Sequence, residues 1–205
     1  MRTTVTANRT LSILAAVLVL AGCASSKTQE ATTFDFGPAA AQQTNAPAAL
    51  PAIVVMDATG PAALENERMY YRLNYANALE ARTYANSRWA SNPLQMVTQR
   101  MKARLSQTGM KVLSATDAST GVPLLRVEVD DFVHAFSSAG QSEGQLTLRA
   151  SLFSDHRLLD QRTFTRTTPA PSADAAGGAR ALAASLDAVA ADIQAWLATV
   201  DTRKR

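Results

Sequence analysis

Cys23 is the only cysteine among 205 residues, and it closes the tetrapeptide "LAGC" at residues 20–23. A cysteine thiolate is a soft nucleophile that can take up a diacylglyceryl group as a thioether. The residues before it read as a lipobox. Arg2 and Arg9 make a short positive segment, and residues 11–21 are apolar apart from Ser12. That run has the length of a signal-peptide apolar region and is too short to cross a bilayer as a helix, which takes roughly 20 residues. Small residues at Ala21 and Gly22 give a peptidase access to the backbone. The pattern predicts cleavage between Gly22 and Cys23, with a palmitate-type lipid carried on Cys23 and no other cofactor. An unpaired thiol in an exported chain is otherwise a liability. Several acyl chains hold a protein on a membrane where one does not. Ala24 stands where an aspartate would signal inner-membrane retention in enteric-type bacteria. The expected address is therefore the periplasmic face of the outer membrane.

The rest of the chain offers little reactive chemistry. His134 and His156 have no histidine or cysteine at ligand spacing, so they read as exposed polar residues and no metal site is expected. No G-x-S-x-G elbow, phosphate loop or H-E-x-x-H occurs. Asp130 and Asp131 are adjacent in a strand pattern and would point to opposite faces, a poor acid–base dyad. Arg88-Trp89 sits where a strand hands over to a helix. It reads either as a core tryptophan beside a surface arginine or as a lock or partner contact at that corner. An enzyme is not expected. Cleavage leaves 183 residues with 18 basic and 17 acidic side chains. The sequence pI of 9.3 comes mainly from the two ends, and Arg203, Lys204 and Arg205 supply three of the positive charges. Without a basic stripe interleaved with aromatics, nucleic acid is not an expected partner.

These features must be carried by a domain of ordinary core, since 47% of residues are hydrophobic and no internal disulfide can form. Residues 23–50 read as an Ala/Pro tether with a short strand at 33–36. A folded domain is expected over 51–200, with a basic tail at 201–205. "AIVVMDATG" reads as a buried strand. "ERMYYRLNY" and "EARTYANSRWA" form a tyrosine-rich hairpin around "ANALE". Ser91 or Asn92 caps a helix opened by Pro93, with Leu94, Val97, Met101 and Leu105 on one face and Gly109 as its C-cap. Arg100, Lys102 and Arg104 suit the C-terminal end of the helix dipole. "MKVLSA" is a further strand. "LLRVEVDDFVHAF" alternates until a bulge at Asp130-Asp131, and "GQLTLRASLF" and "LLDQRTFTRT" pair through "SDHR". After "PAPSADAAGG", read as a breaker, residues 180–200 form a helix whose Leu182, Leu186, Val189, Ile193, Trp196 or Leu197, and Val200 face the core. The order gives an α+β domain, a mostly antiparallel sheet with two helices on one face.

The combination resembles the ABC-type transport auxiliary lipoproteins, the PqiC-like family that accompanies MCE-type lipid transport systems. The likeness runs from the lipobox and "TFDFGP" through the tyrosine-rich hairpin to the closing helix, roughly residues 32–198. Its most specific step is Ser87, Arg88, Trp89 and Ala90 before the helix. The turn Ser154-Asp155-His156-Arg157 departs from the expectation of a glycine there. The resemblance implies a non-enzymatic docking component between an inner-membrane permease with its MCE-domain protein and the outer membrane. Lipids or other hydrophobic compounds would be moved, membrane integrity served, and copies of the chain would assemble with one another. It further predicts an exposed apolar or aromatic patch on the Tyr70–Tyr84 hairpin. Two alternatives stand beside it: an assembly partner of an outer-membrane β-barrel, and a lipid carrier with an apolar pocket of its own.

Overall fold

The computed structural model describes residues 31–39, 49–117 and 120–202. Among them the elements are, in order, β1 (Thr32–Phe34), β2 (Ala52–Val55), β3 (Arg68–Leu73), the single-turn α1 (Asn74–Asn77), β4 (Ala81–Trp89), α2 (Pro93–Ser106), β5 (Lys111–Ser114), β6 (Leu124–Ser138), β7 (Gln141–Ser154), β8 (Arg157–Pro169) and α3 (Ala175–Leu197). The lipobox lies outside the described residues.

All eight strands join one sheet organised by β6. Along one edge β6 pairs antiparallel with β7 over its whole length. The other edge is shared. β2 lies parallel to it at Leu124 and Leu125, Thr59 bridges to Glu128, and β3 lies parallel at His134, Ala135 and Phe136. The sheet therefore forks. One branch adds β5 beside β2; the other adds β4 beside β3 and β1 beside β4. The fold is α+β as expected, but the sheet is mixed rather than mostly antiparallel. The pairs made by sequence neighbours (β3–β4, β6–β7, β7–β8) are antiparallel, and those made by distant segments (β1–β4, β2–β5, β2–β6, β3–β6) are parallel. Alternation in sequence reveals hairpins, whereas parallel pairs need long crossovers that leave no local mark.

The inward residues of β6 and β7 (Leu125, Val127, Val129, Leu146, Leu148, Leu152) share one core with Val97, Met101 and Leu105 of α2 and Leu182, Leu186, Val189 and Ile193 of α3. The pairing register shifts between Val129 and Asp131, the expected bulge, after which Phe132 turns into the core. Asn92 caps α2 by accepting from the Gln95 N–H at 2.9 Å. The helix ends at Ser106 with Gln107 as its C-cap, and Gly109 lies beyond, at φ +82°, where it turns the chain towards β5.

Three boundaries differ from expectation. β1 occupies Thr32–Phe34 rather than 33–36, and it belongs to the sheet, so the folded unit includes residues before 51. Phe36 is the reason: its ring meets Trp89 at 5.6 Å and Phe132 at 6.0 Å, both edge to face. Second, α3 begins at Ala175, inside the segment read as a breaker. Its glycines serve close approach. A Cβ on Gly177 would sit 1.9 Å from the Ser172 carbonyl oxygen, and one on Gly178 would sit 2.4 Å from His134 Nδ1. Asp174 caps this end by accepting from the Gly177 N–H at 2.7 Å. Third, Tyr75 lies in α1 at the hairpin tip rather than in a strand. The β7–β8 turn is made without glycine: Asp155 at φ +48° and His156 at φ +64° both take the left-handed conformation of a two-residue hairpin loop.

Candidate functional site

β3 and β4 form a hairpin with two different ends. At the tip, Tyr75 is 52% exposed and Leu79 is 96% exposed. The tip backbone is nonetheless held. The Asn77 side chain accepts from the Leu79 N–H at 3.1 Å, and Arg82 grips Glu80 with two hydrogen bonds of 2.9 Å. The result is a hydrogen-bonded turn that presents a leucine and a tyrosine to solvent. Tyr70 and Tyr71 are half-buried. Tyr71 packs on Tyr84 at 4.7 Å and on Phe136 at 5.9 Å. The aromatic patch is thus narrower than the sequence reading of the hairpin implies.

At the base sits the Ser-Arg-Trp-Ala step. Trp89 is buried, its ring meeting Phe36 and Phe132 at 5.6 Å each, and its backbone N–H donates to the Glu67 carbonyl. The Ala90 N–H donates to the Phe34 carbonyl at 2.7 Å, which ties β1 down. Ser87 pairs with Thr32 across the same two strands. Trp89 and Ala90 therefore act as a lock at the corner. Arg88 is the member left facing solvent, with Thr33 Oγ1 3.5 Å from its Nε.

His134 corrects its sequence reading. It is fully buried, because Gly178 lets α3 lie directly against its ring. Its Nδ1 stands 2.8 Å from the Tyr84 hydroxyl, and its Nε2 is buried with no partner. Burial lowers its pKa to about 4, against a weaker opposing pull from Asp174. Burial also pushes the Tyr84 phenol well above its ordinary value, helped by Tyr71 and Asp174. His156 is exposed in its turn. Asp130 and Asp131 do face apart: Asp130 meets Arg149 at 3.3 Å and Asp131 meets Arg72 at 3.1 Å. Among the described residues no three acidic, histidine or cysteine side chains gather as a metal site, and no helix is long and apolar enough to cross a membrane.

Two features had no sequence signal. Arg100 and Arg104, expected to serve the helix dipole, are buried and both grip Asp187 of α3; the Arg100 bonds measure 2.6 and 2.7 Å. Burial acts to raise the Asp187 carboxyl, but the hydrogen bonds and charges of the two guanidiniums outweigh it and hold it below the ordinary range. Asp160 of β8 accepts from Trp196 Nε1 at 2.7 Å, chiefly for which its pKa is also lowered. Spacing within one element cannot reveal a contact between two. A surface depression of about 890 Å3 at the hairpin base is open and lined by polar residues including Arg68, Arg88, Ser91 and Gln95, the opposite of an apolar lipid pocket.

The family model described as ABC-type transport auxiliary lipoprotein component matches residues 33–194. The fold is shared with a Xanthomonas campestris protein of family DUF330, 20% identical, with 81% of this chain and 94% of that chain covered at a TM-score of 0.69. A solved structure of an uncharacterized protein is 14% identical over 82% of this chain and 99% of its own, at a TM-score of 0.64. Comparison with curated proteins returns no match.

Proposed function

Because the chain belongs to the ABC-type transport auxiliary lipoprotein family, we propose that it is the lipid-anchored docking component of an MCE-type ABC transport system, without cofactor or catalysis of its own. Cys23 carries the acyl chains, the domain stands on the periplasmic face of the outer membrane, and the β3–β4 tip meets the MCE-domain protein. The cargo is a lipid or another hydrophobic compound. The observation that carries the docking role is the pair Tyr75 and Leu79 on a turn whose backbone is held by Asn77 and by the Arg82–Glu80 pair. A preformed apolar tip loses little conformational freedom on binding, and aromatic side chains are favoured at interface centres. An open, polar depression gives the carrier alternative no comparable support.

The test is a photo-crosslinking amino acid at position 79 of the full acylated chain in intact cells, with mass spectrometry of the adducts. Crosslinks to an MCE-domain protein support the docking role. Crosslinks to a β-barrel alone would replace it with the assembly-partner role, and lipid adducts alone with the carrier. Leu79→Asp should abolish protein crosslinks made from position 75 while leaving the fold intact, since Leu79 makes almost no contact within the domain.

A further inference from the structure

Arg68 and Arg88 are directly opposite one another on β3 and β4. Their neighbours Met69 and Trp89 are buried, so both guanidiniums turn outward on the same face. Side chains in such a cross-strand position start about 5 Å apart, and like charges there repel. Four other arginines of this sheet have carboxylate partners, Arg72 with Asp131, Arg82 with Glu80, Arg149 with Glu128 and Asp130, Arg166 with Asp192, and Arg126 lies over the Phe153 ring. Among the described residues neither Arg68 nor Arg88 has an ion-pair partner. Glu65 and Glu67 line the same depression, but neither comes within ion-pair reach of the two. The N-terminus of α2 is close by, yet Asn92 already accepts from its Gln95 N–H, so the guanidiniums and not the helix end carry the site. Two outward guanidinium forks side by side are suited to bridging the oxygens of a phosphate, which accepts bidentate pairs from arginine.

We propose that Arg68 and Arg88 together hold the phosphate of an anionic membrane phospholipid, whose headgroup has no cation of its own to compete with the two guanidiniums. The assignment rests on the reading of Cys23 as the lipid anchor. Ala31 lines the same depression. A chain extends at most about 3.5 Å per residue, so the eight steps from Cys23 to Ala31 reach no further than about 28 Å. A lipid on Cys23 would therefore leave the arginine pair within tether reach of the headgroups. The nine residues of β4 separate this base from the apolar tip by roughly 30 Å. One hairpin thus carries a membrane-facing end and a partner-facing end.

The test uses the acylated chain in phosphatidylcholine vesicles, with or without added phosphatidylglycerol. Phenylglyoxal modification of each arginine is followed by mass spectrometry. Phosphatidylglycerol should slow modification of Arg68 and Arg88 by roughly threefold or more, with Arg157 and Arg162 on β8 unaffected. Equal rates in both vesicles overturn the proposal. Equal protection by inorganic phosphate beside plain phosphatidylcholine overturns the lipid source in favour of a soluble anion. Arg68→Glu separates function from folding: it replaces a repulsive cross-strand pair by an attractive one, so the melting midpoint should rise while protection of Arg88 disappears. Protection that survives Arg68→Glu overturns the pairing. A chain that fails to float with phosphatidylcholine vesicles overturns the anchor and this assignment with it. A floating chain with unprotected arginines overturns the assignment alone.

Discussion

Stability should fall steeply between neutral pH and pH 4 because of His134. The imidazole is wholly buried, with Tyr84 and Phe136 against it on the sheet and Gly178 above it on α3. The titratable groups that bear on it are the Tyr84 phenol at its Nδ1 and the Asp174 carboxylate at the start of α3; Tyr71 acts on Tyr84. Burial dominates and lowers the pKa from 6.5 to about 4. Above pH 6.5 the ring is neutral in both the folded and unfolded chain, and the stability it permits is fully present. Between 6.5 and about 4 the unfolded chain binds a proton that the fold excludes, so stability is lost as the pH falls. A difference of 2.5 pKa units at 1.36 kcal/mol each amounts to about 3 kcal/mol, or a melting midpoint lower by roughly 6–12 °C in a domain of this size. The carboxylates held low (Asp187, Asp160 and Asp174) act in a separate window, below their ordinary value of 3.8. Urea denaturation followed by tryptophan fluorescence across this range measures the effect. His134→Phe preserves a ring of similar size and should abolish the slope, at a cost at pH 7 of about 1–3 kcal/mol because the Tyr84 hydroxyl loses its acceptor. A wild-type midpoint that does not move between pH 7 and 4 would refute the reasoning, as would a His134→Phe variant that keeps the slope.

Asp187→Ala leaves Arg100 and Arg104 buried without their carboxylate and should cost about 3–5 kcal/mol in urea denaturation. Gly178→Ala sets an improved helix propensity, worth about 1 kcal/mol, against a Cβ driven into the His134 ring; the clash should win, with a net loss of about 1–3 kcal/mol. Gly144→Ala should behave likewise, because its Cβ would stand 2.6 Å from the Leu182 nitrogen on α3. Replacing Asp155-His156 by Asn-Gly should raise stability by about 1 kcal/mol, since both positions hold positive φ without glycine; a lower melting temperature would show that His156 makes contacts worth more than the strain.

What the sequence made legible follows from the range of each signal. The β6–β7–β8 meander and the apolar face of α3 repeat every two residues or every three to four, so composition within a single segment identified them. The sequence left Trp89 open between a core residue and a lock or partner contact at its corner, because the rings that bury it, Phe36 and Phe132, come from distant segments. His134 was misread because its burial depends on a glycine 44 positions later, and nothing near residue 134 marks that. Gly177 and Gly178 were misread for the converse reason: a glycine pair after proline and serine is locally a breaker, and only the packing of α3 onto β6 makes it a point of close approach. Nothing in the helical period of α3 singles out Asp187, whose partners Arg100 and Arg104 come from α2.

The parallel pairs, invisible in the sequence, are also what give the hairpin its two ends. β3 runs parallel to the last part of β6 only at Tyr71, Arg72 and Leu73, so β6 supports the hairpin near its tip. β1 runs parallel to β4 only at Ser87, Arg88 and Trp89, so the tether side of the chain supports it at the base. Between these two attachments most of β4 is exposed. A hairpin clamped at opposite ends by different strands can present different chemistry at each. Trp89 and Phe36 fix the base beside the arginine pair, and the β6 contact fixes the arm from which Leu79 projects. Loosening the base lock would then disturb the arginines without moving the tip. Trp89→Phe, which leaves an aromatic ring but thins the contact with Phe36, should accelerate phenylglyoxal modification of Arg88 by loosening β1 while crosslinking from position 79 persists. Loss of both together would mean that the hairpin moves as one piece and that the two ends are not independent.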